Sequence, residues 1–245
     1  MLKRIFFTIT VLFVLHPVYA QVNHDIMLGF LQIKDQHNLG MVFNGIHVMY
    51  RYGALWKIGN HEIAYQPKLG LGAVFTHGMS GFQALTIAPV NATWTISIYE
   101  QNGRSIRAGT NLAADYSYQL YPFLHNGHLF WATETGISGV VQYSRKWESR
   151  HVAVCLKNSL FGFTSHTQKH DPHFFSLQAK DWVAKAHEKM KFGSYDTYNH
   201  TTISFEYVPD IAQKHSFLYE FDYFGSFYGM KFFRINHNLI WRIAR

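Results

Sequence analysis

The sequence predicts an all-β protein: a transmembrane antiparallel up-and-down β-barrel of about ten strands, with one long outer loop. Three observations carry this. The first is residues 104–120, where Ile106, Ala108, Leu112, Ala114, Tyr116, Tyr118 and Leu120 alternate with Arg107, Gly109, Asn111, Ala113, Asp115, Ser117 and Gln119. A period of two is the signature of a strand with one apolar and one polar face. At about 3.3 Å per residue the segment spans roughly 55 Å, whereas ordinary strands run about 5–6 residues and a tilted strand crosses a bilayer in about 9–11. The second is composition: 17% aromatic, only 15% charged, and a mean hydropathy of −0.10. Soluble domains carry about 25% charged residues; a barrel dilutes its apolar outer face with a polar interior. The third is the lengths of the connections.

Taken in order, candidate strands fall at about 24–34, 38–56, 61–76, 82–100, 104–121, 128–145, 150–164, 200–208, 214–225 and 230–243. The first alternates poorly and is open between a strand and a lead-in. Ten is an even number, as bacterial single-chain barrels require. The links at 57–60, 101–104, 146–149 and 209–214 are short, and Asn102-Gly103 is a strong hairpin signal. The one long connection, about 165–199, falls on the opposite end. Short periplasmic turns with longer extracellular loops are the asymmetry expected of such barrels. Within the long connection, Asp171-Pro172 and the spacing of Leu177, Trp182, Val183, Ala186 and Met190 predict a short amphipathic helix, over the barrel mouth or at the lipid surface, with a loop that plugs the lumen as the alternative. In the strand holding Pro89 the apolar parity flips, from Leu85 and Ile87 to Ala92, Trp94, Ile96 and Ile98, which predicts a bulge at the proline. Pro67 with Gly70 and Gly72 marks a second bulge or bend.

Residues 1–20 read as a signal peptide: Lys3 and Arg4, an apolar core from Ile5 to Leu15, and small residues Val18 and Ala20 ahead of a cleavage site after Ala20. Residues 21–245 are then the barrel. Net charge is +7, or +5 without Lys3 and Arg4. The basic residues are scattered, which gives no nucleic-acid footprint. The single cysteine, Cys155, excludes an internal disulfide. An Ala20–Gln21 junction followed by long alternating strands resembles outer-membrane proteins of the Bacteroidetes type. That resemblance is one of general style. It implies a Gram-negative source, an outer-membrane location, and contact with outer-membrane lipid and lipopolysaccharide.

Assigning the apolar parity to lipid places a polar network inside: Arg51, Lys68, Arg107, Asp115, Glu134, Lys157, Glu206, Glu220, Asp222 and Arg234, with Gln142, Asn236, Asn238 and Arg242. A lumen of this size with both signs of charge is expected to be filled by pairs, where a selective pore favours one sign. The same parity sends Trp94, Trp131, Tyr116, Tyr118, Tyr143, Tyr207, Phe217, Tyr219, Phe221, Tyr223 and Trp241 outward, toward interfacial girdles. The last strand resembles a C-terminal outer-membrane targeting strand, but it ends in Arg245 where an aromatic is usual.

No catalytic constellation emerges. Omptin-like proteases carry acidic pairs and an Asp–His pair at the outer rim; no matching acidic pair accompanies His125, His128, His166, His170, Asp171 and His173. Outer-membrane phospholipases use Ser, His and Asn on the lipid face, and no such pattern is found. Lipid A deacylases pair a strand His with a Ser two residues on; in Ser165-His166 and His215-Ser216 the two are adjacent and so face opposite ways. His166, His170 and His173 with Asp171 are the one local cluster of metal-ligand type, and no metal or cofactor is assigned. The expected role is therefore structural, accessory or surface-interacting, with a protein partner engaged through the 165–199 loop. A lipid A deacylase-like hydrolase and a narrow pore are the alternatives.

Overall fold

The computed structural model describes residues 20–35, 40–76, 79–121, 128–166, 186–210, 214–228 and 231–244. Twelve antiparallel strands form one sheet: β1 (Gln21–Asp35), β2 (Val42–Ile58), β3 (His61–Tyr65), β4 (Lys68–Thr76), β5 (Met79–Gln101), β6 (Arg104–Tyr121), β7 (His128–Trp147), β8 (Arg150–His166), β9 (Lys191–Ser194), β10 (Tyr198–Val208), β11 (His215–Ser226) and β12 (Phe232–Ala244). β3 and β4 lie end to end between β2 and β5. β9 and β10 lie end to end beside β8. The wall therefore has ten staves. β1 pairs with β2 on one side and β12 on the other, which closes the sheet and removes its edges. The segment at 24–34 is a full strand, and the closing one.

The links at 57–60, 101–104 and 146–149 are tight turns, and the link at 209–214 lies partly outside the described residues. Asn102 and Gly103 have φ of 52° and 73°, the left-handed pair that a two-residue type I′ hairpin requires. Gly59 takes φ 57° in the next turn along. The predicted bulge is present: Ile87 faces Tyr116 and Val90 faces Ala114, so Ala88 and Pro89 occupy the space opposite the single residue Asp115. β3 and β4 break at Gln66-Pro67 directly beside it. Gln66 N donates to Asn91 O at 2.8 Å, Tyr52 N donates to Pro67 O at 3.1 Å, and the Tyr65 hydroxyl donates to Pro89 O at 2.6 Å. The two prolines, which cannot donate, thus share one irregular place in the wall.

The outward face carries an apolar belt: Ile26, Leu28 and Phe30 on β1, Ile46 and Val48 on β2, Leu112 on β6, Leu156 on β8 and Leu239 on β12, all exposed. This is far beyond the few hundred Å² of apolar patch that soluble monomers tolerate. Toward the turn end the belt is bordered by Tyr50, Trp94, Tyr143, Tyr207, Phe217 and Trp241. His61 stacks on Trp94 with ring centres 5.8 Å apart, and His215 on Trp241 at 5.7 Å. Arg145 lies over Trp147 at 4.5 Å. Aromatic rings with polar or cationic partners suit a headgroup boundary.

One part of the outward assignment is corrected. Tyr118 points outward but is 5% exposed, because Ala186 packs on it together with Leu85, Tyr116, Leu120 and Trp131. The Tyr116 hydroxyl bonds His187 Nε2 at 2.9 Å, and Ser165 Oγ donates to Glu188 O at 2.6 Å. The end of the long connection thus lies against the outside of β6–β8, and these aromatics meet protein instead of lipid. The described end of the predicted helix is a turn at 187–189, with Lys189 at φ 56°; the remainder of that segment, and His170, Asp171 and His173, lie outside the described residues, as do the signal peptide through residue 19 and His125.

Candidate functional site

The inward face has two halves. Toward the turn end, a cavity of about 1100 Å³ is bordered by the turn residues Asn102 and Gly103 and by Lys57, Lys146 and Lys214, and it ends at Asp115, Glu134, His200 and Asp222. Toward the loop end, Leu31, Ile33, Phe43, Val74, Tyr121, Phe130, Tyr198, Phe224 and Phe232 pack into one buried cluster. Phe43 and Tyr121 rings are 4.7 Å apart, and Tyr121 meets Phe130 edge-on at 5.4 Å. The sequence reading takes the lumen as polar throughout. The structure divides it, because the inward parity of several strands turns apolar near the loop end.

All ten residues predicted for the lumen face inward. Asp25 lies between Arg51 and Arg242, its direct ladder partners on β2 and β12. Its carboxylate takes Arg51 Nε at 2.7 Å and Arg242 Nε at 2.8 Å. Arg51 reaches on to Glu220 at 2.7 Å, and Arg242 to Glu206 at 2.9 Å. A second group begins with Lys68 at 3.2 Å from Asp115. Arg234 spans Asp115 at 3.5 Å and Asp222 at 3.8 Å. His200 sits between Asp222 at 2.5 Å and Glu134 at 2.8 Å, and Asn236 donates to Asp222 at 2.9 Å. Arg107 stands apart, 3.8 Å from Glu62 and donating to Asn60 O at 3.1 Å. Lys157 donates to Thr93 Oγ1 at 3.1 Å.

Alternating charge around a ring is the cheap way to line a narrow lumen. Asp25, Asp115 and Asp222 each meet two cationic side chains, while Glu220 meets Arg51, Glu206 meets Arg242 and Glu134 meets His200, so every one of these carboxylates has a basic partner. Small residues make room for it. Gly29 of β1 lies between His47 of β2 and Asn238 of β12. These two hydrogen-bond over it at 2.5 Å, in the space a Cβ on residue 29 would fill.

Sequence reasoning misses Asp25 and His200 as members of these groups. On β1 the inward residues are Asp25, Met27, Leu31 and Ile33 and the outward ones Ile26, Leu28 and Phe30, so both faces are apolar and no parity signal exists. His200 could have been found: His200, Thr202, Ser204 and Glu206 are the polar set of β10.

The hydrolase geometry does not assemble in the described region. His166 faces inward, 3.4 Å from Ser226 Oγ, while Ser165 faces outward. His215 stacks outward on Trp241, and Ser216 donates inward to Glu206 at 2.8 Å. His237 is outward and bonded to the Tyr219 hydroxyl at 2.7 Å. Among the described residues, no group of three or more His, Cys, Asp or Glu side chains is placed to hold a metal.

No family model and no curated protein matches the chain. Solved structures similar to it are barrels of the outer membrane. The translocator domain of the autotransporter NalP from Neisseria meningitidis is 8% identical over 96% of this chain and 92% of that chain, with a TM-score of 0.44. The transport unit of the autotransporter AIDA-I from Escherichia coli is 12% identical over 94% and 92%, at 0.37. Ail, the attachment invasion locus protein of Yersinia pestis, is 9% identical over 92% and 100%, at 0.29. At these scores the barrel is read from this chain's own strand pairing.

Proposed function

We propose that the chain is an outer-membrane β-barrel that does not conduct, and that it serves a structural, accessory or surface-interaction role without catalysis. The observation that carries this is the divided lumen: the buried apolar cluster fills the loop end, and paired charges of both signs cross the middle. A pore needs a continuous wet path and favours one sign of charge. The apolar belt and its aromatic border support contact with lipid and lipopolysaccharide, and the short turns then face the periplasm. In this reading the signal peptide is cleaved after Ala20. The 165–199 connection, whose described end lies on the outer wall, is the contact for a protein partner. The Bacteroidetes-type origin belongs to this same proposal.

Planar-bilayer recording of the purified protein tests it. The reading predicts a silent membrane; discrete conductance steps would replace it with a narrow pore. Repeated affinity purification from gently solubilised membranes tests the partner, and a barrel that always comes alone counts against it.

A further inference from the structure

We propose that the turn-end cavity is a binding pocket for a small anion, carrying a carboxylate or phosphate group, with Lys157 as its charge anchor. The inference goes beyond the role proposed above and rests only on the loop end being closed. Conductance tests that closure; anion binding tests this.

At about 1100 Å³ the cavity is at the upper end of the roughly 300–1,000 Å³ that ligand sites occupy. Its charges are not uniformly satisfied. Arg51, Lys68, Arg107, Arg234 and Arg242 each face a carboxylate. Among Arg51, Lys68, Arg107, Lys157, Arg234 and Arg242, Lys157 is the one in no ion pair: its hydrogen-bond partner is Thr93 Oγ1 at 3.1 Å, and Glu220 and Cys155 act on it only from further off. An ammonium has three N–H donors, so two remain for a ligand. Thr93 Oγ1 also accepts from Asn111 Nδ2 at 2.9 Å. Lys157 takes one lone pair of this oxygen and Asn111, whose two N–H groups are shared among three acceptors, lies at the other, so the Thr93 O–H is left to donate. Asn111 in turn is held by Asn91 Oδ1 at 2.8 Å and Ala92 O at 3.2 Å, which fixes the hydroxyl in place. Lys157's ladder partners are Val140 and Thr202, neither of them acidic. A positive centre and a positioned hydroxyl, in a cavity open at one end only, match an anionic oxygen group.

The test uses the folded full-length barrel in detergent, with inorganic phosphate and succinate as separate probes and chloride as the ionic-strength control. Calorimetry should show saturable binding of one probe beyond chloride, and which one binds identifies the group. Lys157→Gln should weaken it about ten- to a hundredfold, the usual worth of a hydrogen bond to a charged group, while the heat-modifiable gel shift is kept. An independent readout needs no variant. Cys155 lines the same cavity two residues away on the inward face, so the bound probe should slow its reaction with a small thiol reagent. Absence of binding beyond chloride, or equal binding by Lys157→Gln, overturns the proposal.

Discussion

Around the loop end the inward side chains are Leu31, Ile33, Phe43, Phe130 and Phe232, packed against one another. Around the turn end they are Arg51, Glu206, Glu220 and Arg242, joined as pairs around open space. The two halves belong to the same strands and obey the same alternation. Their difference shows that inward-facing and polar are separate properties of a barrel position. Burying a large apolar side chain contributes about 1.5–3 kcal/mol without needing a particular partner. A buried ion pair roughly breaks even against its desolvation, but it fails badly when one member is lost. The loop end thus supplies a packed apolar core, which the proposed role reads as closure, and the turn end supplies paired charges around open space.

The comparison sharpens when each half is damaged separately. The largest effect is expected from Arg234→Met. It strips the guanidinium from between Asp115 and Asp222, at a side chain 2% exposed, and should cost about 3–5 kcal/mol. It is read as a lower urea midpoint for loss of the SDS-resistant folded band, with no conductance gained. Phe43→Ala should cost slightly less, about 3–4 kcal/mol, and it should also produce small conductance events, because it thins the cluster that closes the lumen. If Phe43→Ala stays silent while Arg234→Met conducts, the roles assigned to the two halves are reversed. The smallest effect is expected at Gly29→Ala, whose added methyl displaces the His47–Asn238 hydrogen bond. A loss of about 1–2 kcal/mol in the same unfolding assay is expected, with the barrel still closed.

Much of the wall was legible because local chemistry dictates it. Asn102-Gly103 suits a type I′ turn, Pro89 cannot donate and so sits at a bulge, and parity along β6 separates Asp115 from Tyr116. The remainder depends on partners. β1 has apolar residues on both faces, so its strand character comes from pairing with β2 and β12. β9 is four residues long and exists because β8 is beside it. Tyr118 reads as lipid-facing until Ala186 is seen to cover it. Of the site, the charged residues were legible by parity; the apolar cluster was not, since inward Phe43 and outward Ile46 are the same kind of residue to a periodicity argument.

The most direct test of the divided lumen is sided labelling of Cys155, the single cysteine of the chain. The protein is reconstituted into vesicles of uniform orientation, fixed by protease access to the long connection, and a small charged thiosulfonate is added to one side at a time. Modification from the short-turn side alone is the predicted result. Modification from the long-loop side would mean that the apolar cluster does not close the lumen, and the account of its two halves would fail.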